Sequence, residues 1–184
     1  AFLATSCNQM SKSNNSSDTN IDSISYVGVK DKSFDELFKS IEPQEISESV
    51  FKLVGKDYTV ITAGHSDDFN SMVASDGGMG ILIGKPVTFC SLRGIRYTLE
   101  VILKDSVYTM SYFDERYKDD FMIFGSKSGR DTQKMKETHL TPVQTPSGRM
   151  SYKEAKLIIE CQLAETHTVN PQEIYAEKNK AFFE

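Results

Sequence analysis

The 184-residue sequence is poor in cysteine, in excess positive charge and in long apolar runs. Each scarcity excludes a class of protein. Cys7, Cys90 and Cys161 are widely separated and form no CxxC pair, so neither a disulfide framework nor a zinc centre is indicated. Twenty-one Lys and Arg against 26 Asp and Glu leave a net charge of −5. There is no bulk positive field to attract nucleic acid or anionic lipid, and any phosphate must be held by a local site. No segment approaches the roughly 20 apolar residues that span a bilayer. His65, His139 and His167 lie in separate segments without metal-ligand spacing, and read as surface or hydrogen-bonded residues. No metal is expected. What remains, 39% hydrophobic and 26% charged residues, is the composition of one globular domain with its own core.

Cys90 and Cys161 sit inside the apolar runs VTFCSL and LIIECQL, where a cysteine behaves as a small buried hydrophobe. Cys7 follows AFLATS and precedes the polar run NQMSKSNNSSDTN. That arrangement resembles the end of a bacterial lipoprotein signal, with Ala4 where Leu is usual, and implies lipidation of Cys7. Residues 1–23 then form a signal remnant and flexible polar tether, and residues 24–184 the folded domain. On this reading the protein belongs to the bacterial cell envelope and meets the membrane only through its anchor. The alternative is an untethered, cytoplasmic chain.

SFDELFKSI and EISESVFKLV carry apolar residues at helical spacing with Ser and Glu near their starts, which predicts two short helices. From Tyr58 the texture changes to β-prone runs: YTVITAG, NSMVASD, MGILIG, PVTFCSL, VYTMSYF and AKLIIECQLAETHTV. Gly, Pro and Asp punctuate them at short intervals, as in an antiparallel sheet or barrel. IRYTLEVILKD, ERYKDDFMIFG and DTQKMKETH interrupt as helices. The predicted class is α+β, mainly β: a barrel with helical insertions.

Three stretches could carry chemistry. In RGIRYTLEVILK, Arg93, Arg96 and Thr98 cluster where a strand turns into a helix. Unpaired backbone N–H groups and the helix dipole favour an anion there, and two guanidinium groups with a hydroxyl would complete a phosphate site. Alternatively, the arginines pair with surface carboxylates such as Glu100. In SKSGRD, Gly129 permits a tight turn, Lys127 and Arg130 supply charge, and Asp131 could cap the next helix; a solvated connection has the same composition. In DDFNSMVASDGGMG, Asn70, Ser71, Val73, Ala74 and Ser75 offer small side chains and free backbone groups against which a flat ring could lie. Its glycines could serve turn geometry alone. GGMG does not make GxGxxG and precedes no helix, which excludes a Rossmann site.

The order TAG, FNSMVAS, GKPV, RGIRYT, SYFDE, GSKSGRD, LTPV resembles the flavin reductase-like, FMN-binding split-barrel family, notably members similar to flavoredoxin. The resemblance covers roughly residues 51–161. It implies a homodimeric split β-barrel with FMN near the subunit interface, reduced by NAD(P)H or a protein donor. Carried onto this sequence, Asn70, Ser71, Met72, Val73, Ala74 and Ser75 would line the isoalloxazine ring. Arg96, Tyr97 and Thr98, with Arg93 nearby, would take the phosphate. Ser126, Lys127, Ser128 and Arg130 would close over the phosphate or ribityl side. No catalytic side chain is implied, because the flavin carries the hydride and electron chemistry.

The sequence departs from the family at two sites. Members commonly carry Trp after the small-residue strand and before GKP; Asp76 and Ile83 stand there, and the chain has no Trp. Relatives also usually continue to a further strand where this sequence has PQEIYAEKNKAFFE. The resemblance therefore leaves two functions: an NAD(P)H-dependent flavin reductase or flavin-based electron-transfer protein, or a non-catalytic flavin- or haem-binding protein on the same barrel.

Overall fold

The computed structural model describes residues 2–14, 30–130 and 134–175. Ten strands and four short α-helices follow in the order β1 (Phe2–Ser13), α1 (Phe34–Leu37), β2 (Phe38–Ile41), α2 (Val50–Gly55), β3 (Thr59–His65), β4 (Asp68–Ala74), β5 (Gly77–Leu82), β6 (Lys85–Ser91), α3 (Tyr97–Asp105), β7 (Val107–Tyr112), α4 (Lys118–Ser126), β8 (Pro142–Gln144), β9 (Met150–Tyr152) and β10 (Leu157–His167). One sheet runs β4-β3-β7-β10-β1-β6-β5, with β2 also on β1, while β8 and β9 form a separate hairpin. Every pairing in the large sheet is antiparallel.

The unbroken apolar runs of β3 and β10 are explained by burial on both faces. Ile61, Leu157, Ile159 and Cys161 point into a core shared with Leu99 and Ile102 of α3 and Leu53 of α2. Val60 and Ile158 point the other way, into an aromatic layer of Phe113, Phe121, Phe124 and Tyr152 under α4 and the β8–β9 hairpin. Phe124 and Tyr152 stack there with centroids 5.4 Å apart.

Several elements differ from the sequence expectation. SFDELFKSI divides into α1 and β2. Glu36 accepts from both the Ser33 N–H and hydroxyl at 2.7 Å, fixing the helix start, but Phe38 and Ile41 are buried as a strand against β1. The glycines of GGMG lie in β5. A Cβ on Gly77 would stand 2.2 Å from the Phe89 carbonyl oxygen, so β5 and β6 require glycine for close approach. Of the helix predicted over DTQKMKETH, residues 131–133 lie outside the described residues, and Lys134–Lys136 forms a single 3-10 turn.

The largest difference is at the N-terminus. Phe2–Ser13, read as a signal remnant and the beginning of a tether, is a strand between β10 and β6. Backbone pairing on two sides holds it, and this bonding is indifferent to how polar the side chains are. The tether expected to begin at Asn8 therefore does not begin before Asn14, and residues 15–23 lie outside the described residues. Cys7, expected to bear a lipid, stands opposite Cys161. Its half-buried thiol packs on the barrel core, where burial pushes it up to about 11.

Candidate functional site

β4 leaves the sheet at Ala74, β6 ends at Ser91, and α3 begins at Tyr97. Between these ends lies a cleft of about 900 Å³, walled by residues 72–76, residues 91–96, and Thr168 and Val169 beyond β10. Val73 is half-buried and Ser75 exposed, so the strand shows the cleft a small-residue edge. Arg93 and Arg96 face it from the β6–α3 connection.

Arg96 is also the N-cap of α3 and makes no side-chain cap bond. A guanidinium cannot accept from the first-turn N–H groups, which leaves that end of a nine-residue helix suited to an anion. Glu100 is engaged by another arginine. Arg130 reaches it, donates to the Ile95 carbonyl at 2.9 Å, and stacks 5.4 Å from the Tyr97 ring centroid. The carboxylate considered as a partner for Arg93 or Arg96 is thus tied to the SKSGRD loop.

Other contacts join the three stretches. Asn70 Nδ2 donates to Thr98 Oγ1 at 2.6 Å, both residues being buried. Gly129 sits so close to Asn70 that a Cβ there would be 2.0 Å from Oδ1. Lys134, in the turn after this loop, is 4% exposed and donates to the Ser71 carbonyl at 3.0 Å and the Phe124 carbonyl at 3.1 Å. Burial and the Arg96 charge lower its amine to about 8.

Of the fourteen cofactor-contacting residues expected from the sequence, Met72, Val73, Ala74, Ser75, Arg93 and Arg96 line the cleft. Asn70 and Tyr97 line a neighbouring cavity of about 330 Å³ with Gly129 and Lys134. Ser71 is fully buried in a hydroxyl chain, 2.8 Å from Thr62 Oγ1 and 2.6 Å from the Tyr152 hydroxyl. Thr98 is likewise enclosed, bonded to Asn70. Ser126, Lys127, Ser128 and Arg130 line neither cavity. Lys127 pairs with Glu137, Ser126 caps back to the Ile123 carbonyl at 3.1 Å, and the Ser128 hydroxyl accepts from the Arg130 N–H at 3.2 Å. That loop touches the site through Gly129 and Arg130.

Sequence reasoning missed Leu92, Gly94, Ile95, Thr168 and Val169 in the cleft wall, and Lys134 in the neighbouring cavity. Adjacency to RGIRYT could have suggested Gly94 and Ile95. A lysine in a polar stretch carries no signal of burial, and only the tertiary structure brings residues 168 and 169 into one cleft wall with residues 72–76. The histidines lie elsewhere: His65 3.8 Å from Asp105, His139 2.9 Å from Asp120, and His167 2.7 Å from Glu165.

Comparison with known proteins identifies the family and the fold. Residues 52–178 match the flavin reductase like domain, and the chain belongs to that family. Its fold is that of the split-barrel members. An FMN-binding protein from Thermus thermophilus, solved with bound p-hydroxybenzaldehyde, is 21% identical and superposes with a TM-score of 0.57 over 72% of this chain and 73% of its own. Flavoredoxin from Methanosarcina acetivorans, 18% identical, gives 0.53 over 61% and 60%. The FMN-binding domain of a flavin reductases-like enzyme from Shewanella baltica, 13% identical, gives 0.50 over 62% and 70%. A search of curated protein sequences returns no match.

Proposed function

We propose that this protein binds FMN in the cleft between β4 and the start of α3. The observation that carries the reading is the convergence of a small-residue strand edge, two arginines and an uncapped helix N-terminus on one opening. The donor set fits: the α3 N–H groups and Arg96 suit a phosphate, and residues 73–75 leave room for a flat ring against backbone amides. Bound FMN would supply hydride acceptance and electron transfer. The protein's own residues position it. Asn70 is fixed by Thr98 and Gly129, Arg130 locks the Ile95 carbonyl, and Arg96 meets the phosphate.

On this reading the protein acts as an NAD(P)H-dependent flavin reductase or flavin-based electron carrier, working as a homodimer as the family resemblance implies. Asp76, which lines the cleft, places a carboxylate where family members commonly have Trp. An anionic nicotinamide donor would meet this charge, so the electron-carrier role is the better supported of the two.

The purified protein should be yellow or should turn yellow with added FMN. Arg96→Gln should weaken FMN by about 10- to 100-fold, the range for a lost charge-assisted hydrogen bond, and riboflavin by less than about twofold. Fluorescence quenching titrations of both flavins measure this. A protein that binds neither would overturn the reading, and equal losses would remove Arg96 from the phosphate.

A further inference from the structure

Cys7 of β1 and Cys161 of β10 come from opposite ends of the chain, and the antiparallel register sets them directly opposite each other. Residues that face one another across an antiparallel pair lie on the same face of the sheet and stand about 4.5 to 5.5 Å apart between Cα atoms. Disulfides span about 4.4 to 6.8 Å, so the backbone holds this pair within bridging reach. The burial agrees. Cys161 is 0% exposed in the barrel core, and half-buried Cys7 packs against that same core. Cys90 belongs to the core as well, but it stands opposite Leu3 on β1 and Gly77 on β5. All three are thiols in the structure.

The place of the pair in the fold gives a bridge its effect. β1 joins β4-β3-β7-β10 to β6-β5, and the cleft takes one wall from the end of β4 and another from the end of β6. On the β10 side, β1 slips register between Ala4 and Thr5 and again between Cys7 and Gln9. Such irregularities interrupt the backbone ladder, and Cys7 lies in the short stretch between them. A covalent bond there fastens the two parts of the sheet where backbone pairing is interrupted.

We propose that Cys7 and Cys161 are a redox pair that closes into a cross-strand disulfide and clamps β1 to β10. The inference stands apart from the flavin reading. The oxidant is a small-molecule disulfide. The thiolate of Cys7, the more exposed of the two, attacks one sulfur of the oxidant; that S–S bond breaks, and one small thiol leaves with the proton Cys7 gave up. The Cys161 thiolate then attacks the Cys7 sulfur of the mixed disulfide, the protein bridge forms, and the second small thiol leaves with the proton from Cys161. Two protein thiols are oxidised and one small disulfide is reduced to two thiols. A bridge between opposite ends of the chain restricts the unfolded state, which makes the oxidised barrel the more stable form.

The test treats the reduced, flavin-free full chain with oxidised glutathione. Burial raises the Cys7 thiol to about 11, so the reaction should quicken as pH rises. Peptide mapping without reductant should join the peptides carrying Cys7 and Cys161 within one molecule. The melting temperature should rise by about 5 °C or more over the reduced form, and dithiothreitol should reverse the rise. Cys90→Ala, compared with its own reduced form, should keep both the bridge and the shift, and Cys7→Ser should lose both. A bridge from Cys7 to Cys90, a bridge between two molecules, a mixed disulfide that never resolves, or no reaction would overturn the pairing. A Cys7–Cys161 bridge that leaves the melting temperature level or lower would overturn the clamp.

Discussion

Arg149 and Lys134 are both basic side chains drawn into the barrel, and they are satisfied in different ways. Arg149, just before β9, donates at 3.2 Å to Glu160, a carboxylate 1% exposed in the middle of β10, which also accepts from Thr145 at 2.9 Å. That charge is balanced within the protein. Among the described residues Lys134 is given only carbonyls as acceptors. The first arrangement ties the β8–β9 hairpin to the sheet, and the second seats the turn after the SKSGRD loop on β4 and α4.

Breaking the balanced pair should have the largest effect on folding. Arg149→Met leaves Glu160 buried without its cation and should cost about 3–5 kcal/mol of stability, read as a shift of the urea midpoint, with the FMN-to-riboflavin ratio of the folded fraction unchanged. A change in that ratio would show that the two charges are not independent.

A smaller loss is expected where the SKSGRD loop seats on β4. Gly129→Ala puts a methyl group 2.0 Å from Asn70 Oδ1, and relieving the clash should cost about 1–3 kcal/mol. Because Asn70 is held by Thr98, FMN affinity should fall as well. An unchanged urea midpoint would mean that the loop lifts away from Asn70 without cost.

The smallest effect is a pH dependence. The Lys134 amine is lowered from its ordinary 10.5 to about 8, so between those values the unfolded chain binds a proton that the folded flavin-free protein does not. Its penalty is complete below about pH 8 and fades as pH rises toward 10. Burial raises Cys90 to about 12 and lifts Tyr112 too, and both oppose this trend in alkali. The quantity to measure is therefore the stability of wild type minus that of Lys134→Met. This difference should move in favour of the wild type from pH 8 to 10, and a flat difference would show that the lysine is not desolvated.

Much of the sheet was legible because β3, β4, β6, β7 and β10 carry runs whose apolarity survives any register. Helix α3 was legible from its periodicity and from the turn before it. β1 was not, since a strand held by neighbours on both edges needs no apolar alternation of its own. β8 and β9 are three residues each, too short for a pattern to repeat. Within the site, RGIRYT read as a candidate anion site because two arginines in an acidic chain stand at a strand-to-helix turn, and the structure sets both on the cleft. FNSMVAS divided in a way no spacing reveals: residues 73–75 reach the cleft, while Ser71 is consumed by Thr62 and Tyr152.

The sequence by itself determined the family, the mainly β architecture, the absence of a bulk positive surface, and the stretches around which a phosphate-bearing ligand could gather. These are properties of composition and local order, and they persist however the chain is arranged. Only the tertiary structure decided which charges are spent. Arg130 and Lys127, the cations of SKSGRD, are neutralised by Glu100 and Glu137, while Lys134, unremarkable in the sequence, is buried against the carbonyls of Ser71 and Phe124. The physical reason is that the cost of a charge depends on its distance from water and from other charges, and both are set by segments far apart along the chain.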